Sequence, residues 1–229
     1  MISKKHQCLF VHIPKAAGQS IERVFLNENN LTWEDRAPLL LRKNIDRNKG
    51  PERLAHLTAE EYLKYGYISE QDFGSYFKFT FVRNPWSRLV SEYNYRGYNA
   101  RFSFETFLTK KLPKKDSYND RYRHILPQSD FIYCSETGKN LVDFIGKFEN
   151  LQSDFDTVCK KLGIINSDLP HTNKPKKANP VKSFLNMFLG GKKETQKKHY
   201  TEYYSEATIS IVEEMYSQDI ETFNYRFER

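Results

Sequence analysis

Apolar residues first gather in this chain at Cys8–Val11, a compact run of the kind a strand buried on both faces shows. Pro14 ends any ladder and Gly18 permits a tight turn. From Gln19 the spacing changes, and Ile21, Val24 and Phe25 fall on one helical face. The pattern predicts strand, loop and helix, with Lys15 in the loop. It recurs downstream. Tyr76–Val82, aromatic and β-branched, is the clearest strand in the chain, Arg83-Asn84-Pro85-Trp86 turns it, and Leu89, Val90 and Tyr93 share a helical face behind Pro85. Two such units predict a parallel sheet that holds its ligand at the C-terminal ends of the strands.

The remaining segments fit around these units. Thr58 with Glu61 is a capping box, so a helix begins there and His56 falls in the loop before it. Leu39-Leu40-Leu41 predicts a short buried segment, and Phe102, Phe104, Phe107 and Leu108 a short helix. Residues 124–133 read as loop then strand, Val142–Phe148 as a strand, and Phe155, Val158, Cys159 and Leu162 as a helical face closed by Gly163. Residues 170–199 hold Pro170, Pro175, Pro180, Gly190, Gly191 and many lysines, which predicts a long basic loop. Thr201–Phe227 predicts one amphipathic C-terminal helix. With 229 residues, a single domain spanning 1–229 is the expectation.

Composition narrows the class. With 38% hydrophobic and 28% charged residues the chain is globular, not disordered. The net charge of +7 favours anionic partners. Three cysteines, Cys8, Cys134 and Cys159, without a CxxC pair suggest neither a disulfide framework nor a zinc site. The N-terminal residues are too polar for a signal peptide's apolar core, and no run approaches a membrane span. A cytoplasmic protein without stable membrane insertion is therefore expected.

The chemistry follows from the two loops. A loop feeding a helix N-terminus presents free N–H groups and the positive end of the helix dipole, and Lys15 adds a full charge. In the second unit Arg83 offers a forked donor suited to phosphate, and Ser91, eight residues on, offers a hydroxyl. A ligand with two separated anionic ends is the economical explanation of both.

His12-Ile13-Pro14-Lys15-Ala16-Ala17-Gly18-Gln19-Ser20 resembles the 5′-phosphosulfate loop of the Golgi-type carbohydrate sulfotransferases, relatives of the chondroitin and heparan sulfate O-sulfotransferases. Phe81-Val82-Arg83-Asn84-Pro85-Trp86-Ser87-Arg88-Leu89-Val90-Ser91 resembles their 3′-phosphate motif. His56-Leu57-Thr58-Ala59, Pro127–Ile132, Phe144–Leu151 and the C-terminal segment are similar to further family segments, in the same order. The basic stretch 176–198 departs from the pattern.

The resemblance implies an α/β fold, a P-loop-NTPase-like three-layer arrangement of a central parallel sheet and flanking helices. It implies 3′-phosphoadenosine 5′-phosphosulfate as donor, no metal, and a carbohydrate or glycan hydroxyl as acceptor rather than nucleic acid. By the same resemblance Pro14, Lys15, Ala16, Ala17, Gly18, Gln19 and Ser20 hold the 5′ end, and Arg83 and Ser91 the 3′-phosphate. Lys15 stabilises the leaving group. A base is needed opposite it, and histidine suits neutral pH. His56 is the first choice. His124 is second and, with Gln128, a candidate for acceptor binding; His12 orients the loop; Glu60 and Glu61 are alternative bases. Two rival readings stand beside this one. A P-loop phosphotransferase lacks its Gly-Lys-Ser/Thr ending here, and a non-catalytic basic glycan-binding module needs no such pair of loops.

Overall fold

The computed structural model describes residues 1–170 and 198–228. Its centre is a four-stranded sheet of β1 (Ile2–Ser3), β2 (Cys8–Val11), β3 (Phe77–Val82) and β4 (Phe144–Lys147), in that order. β1 runs antiparallel to β2, while β2, β3 and β4 are parallel. Val11 pairs with Thr80 and Val82 with Lys147, so the loops carrying Lys15 and Arg83 leave the same sheet edge from neighbouring strands.

The period of two along each strand sends alternate side chains into two cores. Leu9, Val11 and Val82 pack with Trp86, Leu89 and Tyr93 of α4 (Pro85–Tyr95) and Tyr62 of α2 (Ala59–Lys64). Cys8, Phe10, Phe79 and Phe81 pack with Ile21 and Phe25 of α1 (Gly18–Glu28) and with Phe155 and Val158 of a helix at Leu151–Leu162. Helices cover both faces, which is why these strands read as continuous apolar runs. Fully burying a phenylalanine such as Phe79 or Phe81 contributes roughly 2–3 kcal/mol. Gly146 on β4 makes room for the second of them, since a Cβ there would lie 2.4 Å from the Phe81 ring.

Both strand–loop–helix units form as the pattern predicts, as do the capped helix at Thr58 and the strand within 142–148. Other expectations are corrected. Residues expected to be a strand after Pro127 form a helical turn, Ser129–Ile132, because the Asp219 carboxylate accepts the N–H groups of Gln128 (2.7 Å) and Ser129 (2.8 Å). The C-terminal segment is not one helix. It comprises a 3₁₀ turn at Tyr200–Tyr203, a helix capped by Ser205 at Glu206–Met215, and another at Ser217–Phe223. The break falls at Tyr216, whose buried hydroxyl is anchored on the Ile125 carbonyl (2.6 Å). α3 (Glu70–Ser75), capped by Ser69, and the two-residue β1 were not anticipated; both are too short for a periodic signal. The basic loop and His171 lie outside the described residues over 171–197. Among the described residues no helix is long and apolar enough to cross a membrane.

Candidate active site

The first loop is shaped by conformations that most residues avoid. Lys15 (φ 69°) and Ala17 (φ 68°) are left-handed, each at about 1–2 kcal/mol for an L-residue. Gly18 then opens α1 under the His12 imidazole, and a Cβ on it would lie 2.0 Å from His12 Nε2. His12 is held in turn by Glu22 of α1, Nδ1 to Oε1 at 2.6 Å. The Ser20 N–H turns back to the Ala17 carbonyl (3.0 Å), and its hydroxyl donates to the Pro170 carbonyl (3.1 Å). The N–H groups of Gly18 and Gln19 meet no acceptor among the described residues, the usual condition of a helix's first turn. Lys15 Nζ sits 3.7 Å from the centre of the Tyr95 ring, which is 52% exposed. Burial lowers the Lys15 amine to about 8; nearby Glu92 opposes the shift, and Arg83 and Arg96 add to it.

The second loop is locked to the first. Arg83 Nη1 donates to the Lys15 carbonyl (3.2 Å), and its Nε and Nη2 donate to Ser87 Oγ (3.1 and 2.8 Å). Burial lowers Arg83 to about 10, partly offset by Glu149, so it stays charged at neutral pH. Asn84 caps α4 by accepting the Ser87 N–H (3.1 Å), and Pro85 occupies the first turn, where a missing N–H costs nothing. Arg88, 2% exposed, ties α4 to two loops by donating to the carbonyl of Pro14 (3.0 Å) in one and to those of His124 (3.0 Å) and Leu126 (2.8 Å) in the other. Arg88→Ala leaves those carbonyls without donors and should lower unfolding stability by about 3 kcal/mol or more, read from the urea midpoint.

Beside the loops three histidines form a row. The His56 ring meets His12 edge-on at 4.9 Å and His124 at 5.0 Å. Each Nδ1 sits on its own buried carboxylate: His12 on Glu22 (2.6 Å), His56 on Asp120 (2.7 Å), His124 on Glu92 (2.6 Å). Tyr95 stacks on His124 (5.9 Å, 15°) and connects the row to Lys15. Arg123 fixes the backbone of His56, donating to its carbonyl at 2.8 Å, and pairs with Glu61. A cavity of about 110 Å³ opens beside His12 and His56, walled by Gln19, Trp33, Arg36, Arg42, Lys43 and Arg53 among others. A larger cleft of about 410 Å³, near Tyr67 and Tyr76, shares no residue with it.

The expected residues therefore fall in different settings. Lys15 and Arg83 meet at one sheet edge, and His56 stands against His12, the residue that follows β2. Ser91 follows Ser87 by one turn on the same face of α4, and it is Ser87 that Arg83 grips. His124 is buried, with Nδ1 on Glu92 and Nε2 3.6 Å from Asp120, and does not line the cavity. Gln128 is fully buried and its amide is taken up by the Arg83 backbone: its Oε1 accepts the N–H and its Nε2 donates to the carbonyl, both at 2.8 Å. In the described structure it braces the second loop. Glu61 caps Thr58 and pairs with Arg123, and Glu60 accepts from Ser135, so neither faces the histidine row as a free base.

Asp120, Glu22, Glu92, Tyr95 and Arg88 escaped sequence reasoning. Glu92 carried a legible signal in its i,i+4 spacing to Arg96, with which it pairs at 2.8 Å, and Asp120 a weaker one in its i,i+4 spacing to His124.

Burial lowers His56 well below its ordinary 6.5, and lowers His124 as well. In the unfolded chain both take a proton near 6.5; in the folded chain they do so only at lower pH. The unfolded state therefore binds more protons once pH drops under 6.5, and stability falls on acidification. Urea midpoints should decline from pH 7 to pH 5, by at most about 1.4 kcal/mol per pH unit for each histidine. His56→Asn should flatten that decline.

The chain is an α/β protein with paired cation loops on one sheet edge and a histidine row alongside. The model of the sulfotransferase family matches residues 1–226, and the chain belongs to that family. An uncharacterised protein of Archaeoglobus fulgidus is 32% identical over 104 residues, which is 42% of this chain and 76% of that protein. No solved structure matches the chain.

Proposed function

We propose that this chain moves the sulfuryl group of 3′-phosphoadenosine 5′-phosphosulfate onto a hydroxyl of a carbohydrate acceptor by in-line displacement. The observation that carries the reading is the side-by-side placement of two cation loops at the C-terminal ends of adjacent parallel strands, joined by the Arg83–Lys15 contact of 3.2 Å. Such a pair suits a donor with phosphate at both ends. Membership of the sulfotransferase family supports it.

In this reading the loop from Pro14 to Ser20 cradles the 5′ end through the helix terminus of Gly18 and Gln19. Arg83, with Ser87 or Ser91 behind it, holds the 3′-phosphate. The acceptor O–H gives its proton to His56 Nε2 while its oxygen bonds to sulfur. The bond from sulfur to the 5′-phosphate oxygen breaks, and Lys15 stabilises the charge that collects there. The acceptor lies in the cavity beside His56, whose wall of Trp33 and arginines offers an aromatic face and hydrogen-bond donors.

Isothermal calorimetry decides the donor. The protein is expected to bind 3′-phosphoadenosine 5′-phosphate without metal and more tightly than ATP with Mg²⁺. Preference for ATP with Mg²⁺ supports a phosphotransferase instead, and binding of neither, in folded protein, removes the catalytic reading. Transfer of labelled sulfuryl group to a panel of neutral and acidic oligosaccharides then identifies the acceptor.

A further inference from the structure

The buried carboxylate behind His56 comes from a distant part of the chain and gathers more charged neighbours than packing requires. Asp120 is 6% exposed and opens the short helix Asp120–Arg123, capped by Asn119. Its Oδ1 meets His56 Nδ1 at 2.7 Å. Its Oδ2 accepts from Arg96 Nη2 at 3.0 Å and lies 3.5 Å from Arg53 Nε and 3.6 Å from His124 Nε2. Two guanidinium groups on Oδ2 hold the carboxylate ionised and leave Oδ1 for the imidazole. An ionised carboxylate accepts only, so the proton between Asp120 and a neutral His56 resides on Nδ1. Nε2 is then the lone-pair nitrogen. Of the two histidines that reach Asp120, His56 lines the cavity and His124 does not.

Resting on the sulfotransferase reading above, we propose that Asp120 is the positioning residue of the reaction: it holds His56 in the tautomer whose Nε2 accepts the acceptor's proton, and it steadies the imidazolium formed as that proton arrives. The charge balance is simple. The proton leaves the acceptor oxygen for Nε2, the Nδ1–H stays on Asp120, and a neutral imidazole beside a carboxylate becomes an ion pair. His12 with Glu22 on one side, and His124 with Glu92 and Arg96 on the other, complete the groups around the ring. Arg96 and His124 reach Asp120 through Oδ2 and His56 through Oδ1, so a replacement that keeps an oxygen at the Oδ2 side acts on His56 first.

Asp120→Asn separates this role from a structural one. Arg96 donates to the Oδ2 side, so it orients the amide oxygen toward itself and turns the NH₂ to His56. A donor facing Nδ1 forces the proton onto Nε2. Histidine side-chain ¹⁵N NMR, with His56 assigned by its loss in His56→Asn, is expected to show Nδ1–H in the wild type and Nε2–H in Asp120→Asn. Donor hydrolysis with water as acceptor needs no identified sugar, and its turnover should fall about 100-fold or more. The affinity for 3′-phosphoadenosine 5′-phosphate should be kept, and the acid limb of the residual rate should move to lower pH because a negative charge has gone. Asp120→Glu should recover part of the rate. An Nε2–H tautomer in the wild type overturns the proposal. So does an Asp120→Asn enzyme with an unchanged tautomer and pH profile, whatever its rate. The tautomer measurement needs no substrate, so it decides the placement of the proton even if calorimetry shows no donor binding, which would instead remove the sulfotransferase reading. If Asp120→Asn fails to fold, the wild-type tautomer and its pH titration decide the matter.

Discussion

Lys15→Ala is expected to lower sulfuryl transfer by about 10²- to 10³-fold, the range for loss of one preorganised group facing a developing oxyanion. The size follows from where the ammonium is kept. It lies 3.7 Å over the Tyr95 ring, in a loop held by two left-handed residues and by the Arg83 contact to the Lys15 carbonyl. A cation–π contact of about 0.5–2 kcal/mol parks the charge without trapping it, since a phosphate oxygen is the stronger partner. Burial has lowered this amine to about 8. The free enzyme therefore loses the charge as pH rises through about 8, and a polyanionic donor restores it by drawing a proton onto the nitrogen. Calorimetry with 3′-phosphoadenosine 5′-phosphate at pH 8.5, in buffers of different ionisation enthalpy, should show net proton uptake on binding. Lys15→Ala should abolish that uptake together with turnover. Uptake unchanged in the variant would assign the proton to another group and remove Lys15 from the donor site.

His56→Asn should lose about 10²- to 10⁴-fold in turnover while donor-product affinity stays within a few-fold of wild type. Asparagine keeps an N–H for Asp120, so the carboxylate is not stranded, and it has no lone-pair nitrogen where Nε2 stood. Alanine would leave Asp120 buried beside Arg96 with one oxygen unmet, confusing catalysis with stability. The alternative base, His124, is distinguished by His124→Asn. That variant breaks the contact with Glu92 and alters the His56 ring's neighbour, but it leaves the cavity lining as it is. Loss of turnover in His124→Asn with retention in His56→Asn would reverse the assignment.

Much of this site could be read before the fold was known because its framework is local. Capping at Thr58, the apolar runs at Cys8–Val11 and Tyr76–Val82, and Pro85 behind Arg83 each act within a few residues, so their signals survive in the sequence. The misreadings share one physical cause. The helical turn at Ser129–Ile132 exists because Asp219, 90 residues away, supplies the acceptor for its first N–H groups. The break in the C-terminal segment sits where Tyr216 reaches Ile125. The burial of Gln128, a candidate for acceptor binding, against the Arg83 backbone is likewise set by a partner 45 residues away.

The chain by itself determined the two strand–loop–helix units, the identity of their cations, and a histidine placed ahead of a capped helix, since hydrophobic period, turn chemistry and capping are short-range effects. Tertiary structure decided which carboxylate stands behind each histidine, that Tyr95 connects Lys15 to the histidine row, and that Arg88 draws the loops onto one another. Buried charges must be paired, but their pairing joins residues tens of positions apart, as with His56 and Asp120, and no local pattern announces which partner the fold will deliver.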